Sequence, residues 1–179
     1  MIASTGVSSA NTEDLPGHDI TSALSAGGTV GVNVVRDAAL YSYNMLLTVD
    51  GDFVGAFAAA QAPGAEPGPP PQPDFSKRGA IRSIFDGRHR FTRYFAPDEH
   101  HRPETFDDLV ARNDLELFDL EVDPDETTNL AQDTASHRDL IFKMNALLNR
   151  TLDDEVGVDD GSFLPTGSEI PWEIDRWDV

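Results

Sequence analysis

The run Asp98-Glu99-His100-His101 carries the side chains that bind zinc or nickel, and it is the one cluster in the chain that joins histidines to acids in this way. Adjacent side chains seldom point at a single ion, so the run reads as a polar loop. A second constellation is cationic: Arg82, Arg88, Arg90 and Arg93 carry guanidinium groups that match the geometry of sulfate or carboxylate. They are candidates for an anion site, but the acids around them are numerous, and pairing with neighbouring carboxylates is the favoured reading. A third is Asp123, Asp125 and Glu126, an arrangement suited to calcium. Counted from Asp123, however, an EF-hand loop needs glycine sixth and an acid twelfth, and here those places hold Thr128 and Thr134. Turn and capping roles remain for these acids. His18, Asp19 and His89 are isolated and read as surface or turn residues. His137 falls at a helix start. No residue is thereby assigned a catalytic, cofactor-binding or metal-binding role.

The elements that position these groups are legible from periodicity. Leu115, Leu117 and Asp119 alternate with Glu116, Phe118 and Leu120, which predicts a half-buried strand over 115–121. Asp123-Pro124-Asp125 ends it, since proline offers no amide hydrogen and aspartate favours turns. Upstream, residues 80–85 and 88–95 are β-prone runs joined by Asp86-Gly87, a pair suited to a type I′ hairpin turn. One face of the second run carries Phe91, Arg93 and Phe95, and the other carries Arg90, Thr92 and Tyr94. Downstream, Leu140, Ile141, Met144, Leu147, Leu148 and Leu152 recur at helical spacing, with Arg138, Lys143, Asn145, Asn149 and Arg150 on other faces. An amphipathic helix is expected over 136–155, with Ser136 and Asp139 as a capping box and Gly157 as its stop. Asp153, Asp154 and Glu155 sit at the end disfavoured by the dipole, which predicts fraying and a solvated acidic surface. Such a helix cannot offset its own ordering entropy by burying one face alone, so it requires a sheet beneath it. The expected fold class is α+β: a small antiparallel sheet, hairpin 80–95 plus strand 115–121, covered by that helix. Its other face would keep aromatic and aliphatic side chains that call for a partner or another domain.

Residues 116–131, Glu-Leu-Phe-Asp-Leu-Glu-Val-Asp-Pro-Asp-Glu-Thr-Thr-Asn-Leu-Ala, resemble the signature that closes the C-terminal subdomain of sulfatases. The resemblance extends from Arg78 to about Leu152, and implies a small antiparallel sheet with a packed helix leaning on a large α/β domain of the alkaline-phosphatase type. Ile2 to Val7 is similar to the end of a helix preceding the family's Leu-Pro-Gly segment, here Leu15-Pro16-Gly17-His18-Asp19. Arg36, Ala39, Leu40, Tyr41, Ser42 and Tyr43 resemble the family's next strand. The implied organisation is 1–60 as the end of the large domain, 61–77 as a Pro/Gly-rich flexible loop, 78–157 as the C-terminal subdomain and 158–179 as an acidic tail. A partial alkaline-phosphatase-like fold is expected.

Sulfatases of this kind use a formylglycine made in a Cys-x-Pro-x-Arg or Ser-x-Pro-x-Arg motif, together with calcium. Neither motif occurs in the 179 residues, and there is no cysteine. The resemblance therefore implies a C-terminal fragment of a sulfatase-family hydrolase, as from a truncated, split or late-initiated reading frame, inactive alone. Formylglycine and calcium are expected only in the complete enzyme. The alternatives are a non-catalytic interaction module and a fragment of a related phosphoric or phosphonic ester hydrolase. Expected partners are the large sulfatase domain or another protein.

Gln61 to Pro73 is crowded with proline and glycine, and Pro67-Gly68-Pro69-Pro70-Pro71 suits polyproline geometry, a form that aromatic-grooved domains bind. Flexible insertion is the favoured reading. A formal charge of −19, from 32 acids against 13 lysines and arginines, makes nucleic acid and anionic membrane poor partners. The lack of cysteine excludes a disulfide framework and fits a reducing compartment. No signal peptide or membrane span is apparent, so localisation is cytoplasmic by default. The acids are spread through loops and helix ends rather than gathered in one tail, which suggests a halophilic protein whose self-repulsion is screened by salt. Circular dichroism should accordingly show structure increasing from dilute buffer to molar salt, and a flat titration would refute this.

Overall fold

The structure is a computed structural model describing residues 18–27, 31, 33–44 and 50–159. The resemblances assigned to 2–7 and 15–17, and the tail from 160 onward, lie outside the described residues. Four strands form one antiparallel sheet in chain order: β1 (Ala39–Asn44), β2 (Ala80–Phe85), β3 (His89–Phe95) and β4 (Asp114–Asp119). Helix α1 (Thr21–Ser25) precedes β1, α2 (Gly51–Ala60) lies between β1 and β2, α3 (Phe106–Arg112) between β3 and β4, and α4 (Arg138–Glu155) closes the fold. The expected hairpin and third strand are present, and the sheet gains a fourth strand because Ala39–Asn44 pairs along the free edge of β2, Ala39 with Phe85 through Asn44 with Ala80.

Register sorts the side chains into two faces. Arg82 lies opposite Arg93 and Ile84 opposite Phe91, while Phe91 lies opposite Leu117 and Arg93 opposite Leu115. With a side-chain period of two, Leu40, Ala80, Arg82, Ile84, Phe91, Arg93, Phe95, Leu115 and Leu117 share one face. That face is sealed by α4, and Ile84, Phe91, Leu117, Ile141, Met144, Leu148 and Leu152 form one buried cluster with Phe106, Leu109 and Ala131. The opposite face holds Tyr41, Tyr43, Ile81, Phe85, Arg90, Thr92, Tyr94 and Phe118.

Local chemistry corrects several expectations. The hairpin closes with the Asp86 amide donating to the His89 carbonyl at 3.1 Å, so its central pair is Gly87-Arg88. Gly87 has φ +98° and Arg88 does not share a positive φ, the signature of a II′ rather than a I′ turn. β4 stops at Asp119, two residues short of the expected end, because the amides of Val122 and Asp123 turn back onto the Asp119 carbonyl. The stretch between β3 and β4 is not all loop. Thr105 caps α3 through its hydroxyl, which accepts from the Asp108 amide at 3.2 Å, and α3 buries Phe106 and Leu109.

Helix α4 begins two residues later than expected, at Arg138. Ser136 forms no capping box; its amide donates to the Asp133 carboxylate at 3.0 Å instead. At the other end, the amides of Val156 and Gly157 both donate to the Leu152 carbonyl, and Gly157 takes φ +94°, as a helix stop requires. The acidic last turn is not merely solvated. Asp153 pairs with Arg102 at 2.6 Å and Glu155 with Arg36 at 2.9 Å, so cations from two distant segments hold it.

The proline-rich stretch is anchored at its far end. Asp50, the N-cap of α2, is buried and accepts from the Phe53 amide, the Asp74 amide and Lys77 Nζ at 3.1, 2.8 and 2.6 Å. Those hydrogen bonds, that from Lys77 foremost, hold its carboxyl at about 2 against an ordinary 3.8. A lowered carboxyl pKa contributes stability that is complete above the unfolded value and disappears as pH falls toward the folded one. Unfolding free energy measured against pH should therefore drop between 3.8 and about 2, and Asp50→Asn should flatten that drop relative to the parent chain.

Candidate functional site

Strand pairing sets Arg82 and Arg93 side by side beneath α4, and both are buried. A guanidinium cannot be deprotonated to escape burial, so each must be met by hydrogen-bond acceptors. Arg82 gives Nε to Asp159 Oδ2 at 3.0 Å and Nη2 to Asp159 Oδ1 at 3.4 Å, and its Nη1 donates to Asn44 Oδ1 at 2.9 Å. His100 Nε2 reaches the same Asp159 Oδ1 at 2.9 Å. Phe95 walls the site: Arg82 lies 5.3 Å from its ring centroid and His100 meets it edge-on at 5.6 Å. Despite the loss of solvation, the hydrogen bonds and charge of Arg82 and His100 hold the Asp159 carboxyl below the usual range.

Arg93 is solved differently. Its Nη1 donates to Asn145 Oδ1 at 2.8 Å and to Asn149 Oδ1 at 2.9 Å, and both carboxamides turn their Nδ2 groups to the Pro103 carbonyl at 2.9 Å. Its Nε has no hydrogen-bond partner and no carboxylate pairs with it among the described residues. Burial, and then the neighbouring Arg82 charge, pull its pKa down to about 10.

The four sequence-identified arginines are thus not one anion cradle. Arg82 and Arg93 lie on the covered face. Arg88, at the turn, forms a two-pronged pair with Asp119 at 2.9 and 2.6 Å and bonds Glu121 at 2.7 Å. Arg90, on the other face, pairs with Glu126 and lies 5.9 Å from the Phe118 ring centroid. Pairing with acids, the favoured reading, describes three of the four, and Arg93 is the exception.

Asp98 and Glu99 form a 3-10 turn, Pro97–Glu99, after which the two histidines diverge. His100 turns to Asp159, whereas His101 sets Nδ1 against the Glu99 carbonyl at 2.7 Å and Nε2 against Asn113 at 3.1 Å. Burial lowers the His101 pKa. No group of three or more histidines, cysteines, aspartates or glutamates that could hold a metal is found among the described residues. The Asp123 carboxylate is consumed by the Thr127 and Thr128 amides and the Thr127 hydroxyl, at 3.1, 2.8 and 2.9 Å. His89 spans Asp86 and Asp119 at the hairpin turn, His18 stands 3.8 Å from Glu155, and His137 occupies the N-cap of α4. Asp19 accepts from the Thr21 amide at 2.8 Å.

Three residues around the two arginines are not marked by the sequence pattern. Asn145 and Asn149 lie on helix faces other than the apolar stripe, yet they are 1% and 5% exposed. The available signal was their i, i+4 spacing beside the apolar stripe, matched to an arginine on an otherwise apolar strand face. Asp159 sits in the stretch read as an acidic tail, and nothing local distinguishes it from its acidic neighbours.

No protein-family model and no curated protein matches the chain. Four chains of solved structures do match it. One is the structure of BT4656 in complex with its substrate D-glucosamine-2-N,6-O-disulfate, with a TM-score of 0.51 and 15% identity. The likeness covers 90% of this chain but only 24% of that one, so this chain spans about a quarter of the length of the protein it matches. At this identity the likeness concerns the fold alone: a partial, sulfatase-like α+β fold.

The Arg93 joint makes a direct prediction. Asn145→Ala removes one of two acceptors from a buried cation and should cost about 1.5–3 kcal/mol in urea unfolding. Lys143→Ala, on the exposed side of the same helix, should stay within about 0.5 kcal/mol.

Proposed function

We propose that this chain is the buttress subdomain of a sulfatase-type hydrolase, a part that braces the reaction site of a sulfuric ester hydrolase without supplying its nucleophile or metal. The observation carrying this reading is the backbone likeness over 90% of the chain to about a quarter of a protein whose substrate is a sulfated glucosamine. Residues 116–131, which resemble the sulfatase signature, support it. They form most of β4, the Asp123-centred turn, and Asn129, whose side chain bonds Leu117 N, Leu115 O and Ala131 N.

Formylglycine and calcium do not fit the residues present. The sequence has neither Cys-x-Pro-x-Arg nor Ser-x-Pro-x-Arg, and among the described residues no three or more histidines, cysteines, aspartates or glutamates gather where they could hold a metal ion. Nucleophile, metal and most sulfate-binding groups belong, on this reading, to a large α/β domain. The sheet face opposite α4 is, on this reading, the surface for that domain: Tyr41 and Tyr43 stack at 6.3 Å and are 57% and 47% exposed, with Ile81 and Phe85 half-buried beside them. Phosphoric and phosphonic ester hydrolases share the architecture, so ester type is set by the large domain.

The same Tyr41–Tyr43 surface favours a second reading, a non-catalytic module that binds another protein through this face. Purified chain incubated with an aryl sulfate and an aryl phosphate, with and without calcium, should release no phenol above a blank. Turnover that tracks the protein through purification would defeat both readings.

A further inference from the structure

We infer that the buried cluster of Arg82, His100 and Arg93 is an oxyanion-binding site whose occupant in this structure is the chain's own Asp159 carboxylate, and that an external oxyanion, sulfate or carboxylate, takes the same place when Asp159 withdraws. The geometry is that of a built receptor. Asp159 offers two oxygens, and they are engaged by the Nε and Nη2 prongs of one guanidinium and by an imidazole nitrogen, the pattern that recognises a two-oxygen edge of sulfate as readily as a carboxylate. Asp159 is not the only group that orients Arg82 and His100. Arg82 is oriented from behind by Asn44 and by the Ile81 carbonyl at 3.0 Å, and Phe95 flanks both Arg82 and His100.

A second, independent observation points to an anion. Arg93, directly across the strand pair, is 1% exposed, has only neutral carboxamides as partners, and keeps its Nε unbonded among the described residues. A buried cation with neutral partners adds positive potential to whatever sits beside Arg82. Asp159 lies beyond the stop of α4, two residues after Gly157, outside any helix or strand. This site stands whether or not the buttress reading does, because its test involves no ester hydrolysis.

The test empties the place that Asp159 fills. Full-length Asp159→Ala is titrated with sodium sulfate against sodium chloride at matched ionic strength, and the thermal midpoint is followed. A saturable rise of about 2–4 °C is expected at millimolar sulfate, smaller in the parent chain and absent once Arg82→Lys is added. General exclusion of sulfate from protein surfaces acts on all three chains, so only the difference between them is read. Asp159→Asn, close in shape to the native residue, serves as the second variant should the alanine chain fail to fold. Repeating the titration with phosphate and acetate identifies the ligand: a response confined to acetate assigns a carboxylate, and one to sulfate and phosphate a tetrahedral oxyanion. If neither variant responds beyond the Arg82→Lys control to any of the three, Asp159 is a latch alone and the inference is overturned.

Discussion

Arg93 must be buried and must remain charged, and much of the architecture follows from satisfying it. A guanidinium under a helix needs acceptors, and for Arg93 the helix supplies them. Asn145 and Asn149, one helical turn apart on α4, supply two carboxamide oxygens, which fixes the rotation of the helix over β3. Their nitrogens then draw in the Pro103 carbonyl, which fixes the start of the segment leading into α3. One cation thus ties strand, helix and loop, each hydrogen bond constraining a different element. Around this joint the apolar contacts of Ile141, Met144, Leu148 and Leu152 against Ile84, Phe91 and Leu117 supply the nonspecific part of the stabilisation. The polar joint selects which of several rotations of an amphipathic helix is adopted.

The chain's charge imbalance is handled by a similar economy of cations. The sequence has 13 lysines and arginines against 32 acids; among the described residues most carboxylates face solvent, and several basic groups connect distant segments. Arg36 and Arg102 reach the last turn of α4, Lys77 reaches the cap of α2, and Arg88 joins the hairpin turn to the end of β4. Exposed pairs of this kind contribute little individually and weaken with salt. Their value here is that each offsets local repulsion among acids the backbone has brought together, at the disfavoured end of α4 above all.

The two faces of the sheet have unequal tasks. The covered face carries the apolar core and both buried arginines. The opposite face carries polar pairs, Ser83 with Thr92 at 2.8 Å and Tyr94 with Glu116 at 2.8 Å, and an edge of exposed tyrosine. Burial and the Glu116 hydrogen bond push the Tyr94 pKa up to about 12, so that phenol remains a donor.

Local pattern alone determined the apolar stripe of α4, the hairpin, the alternation of β4 and the turn after it, because each depends on periodicity or turn chemistry within a few residues. The II′ turn and the missing capping box departed from that pattern because the hydrogen bonds actually made by Asp86 and Asp133 outcompeted the expected ones. The pairing of β1 with β2, the burial of Asn145 and Asn149, and the meeting of Asp159 with Arg82 and His100 were decided only in three dimensions. Each joins residues far apart in the chain, and an asparagine or aspartate reads as surface until a buried cation on another element gives it something to accept from.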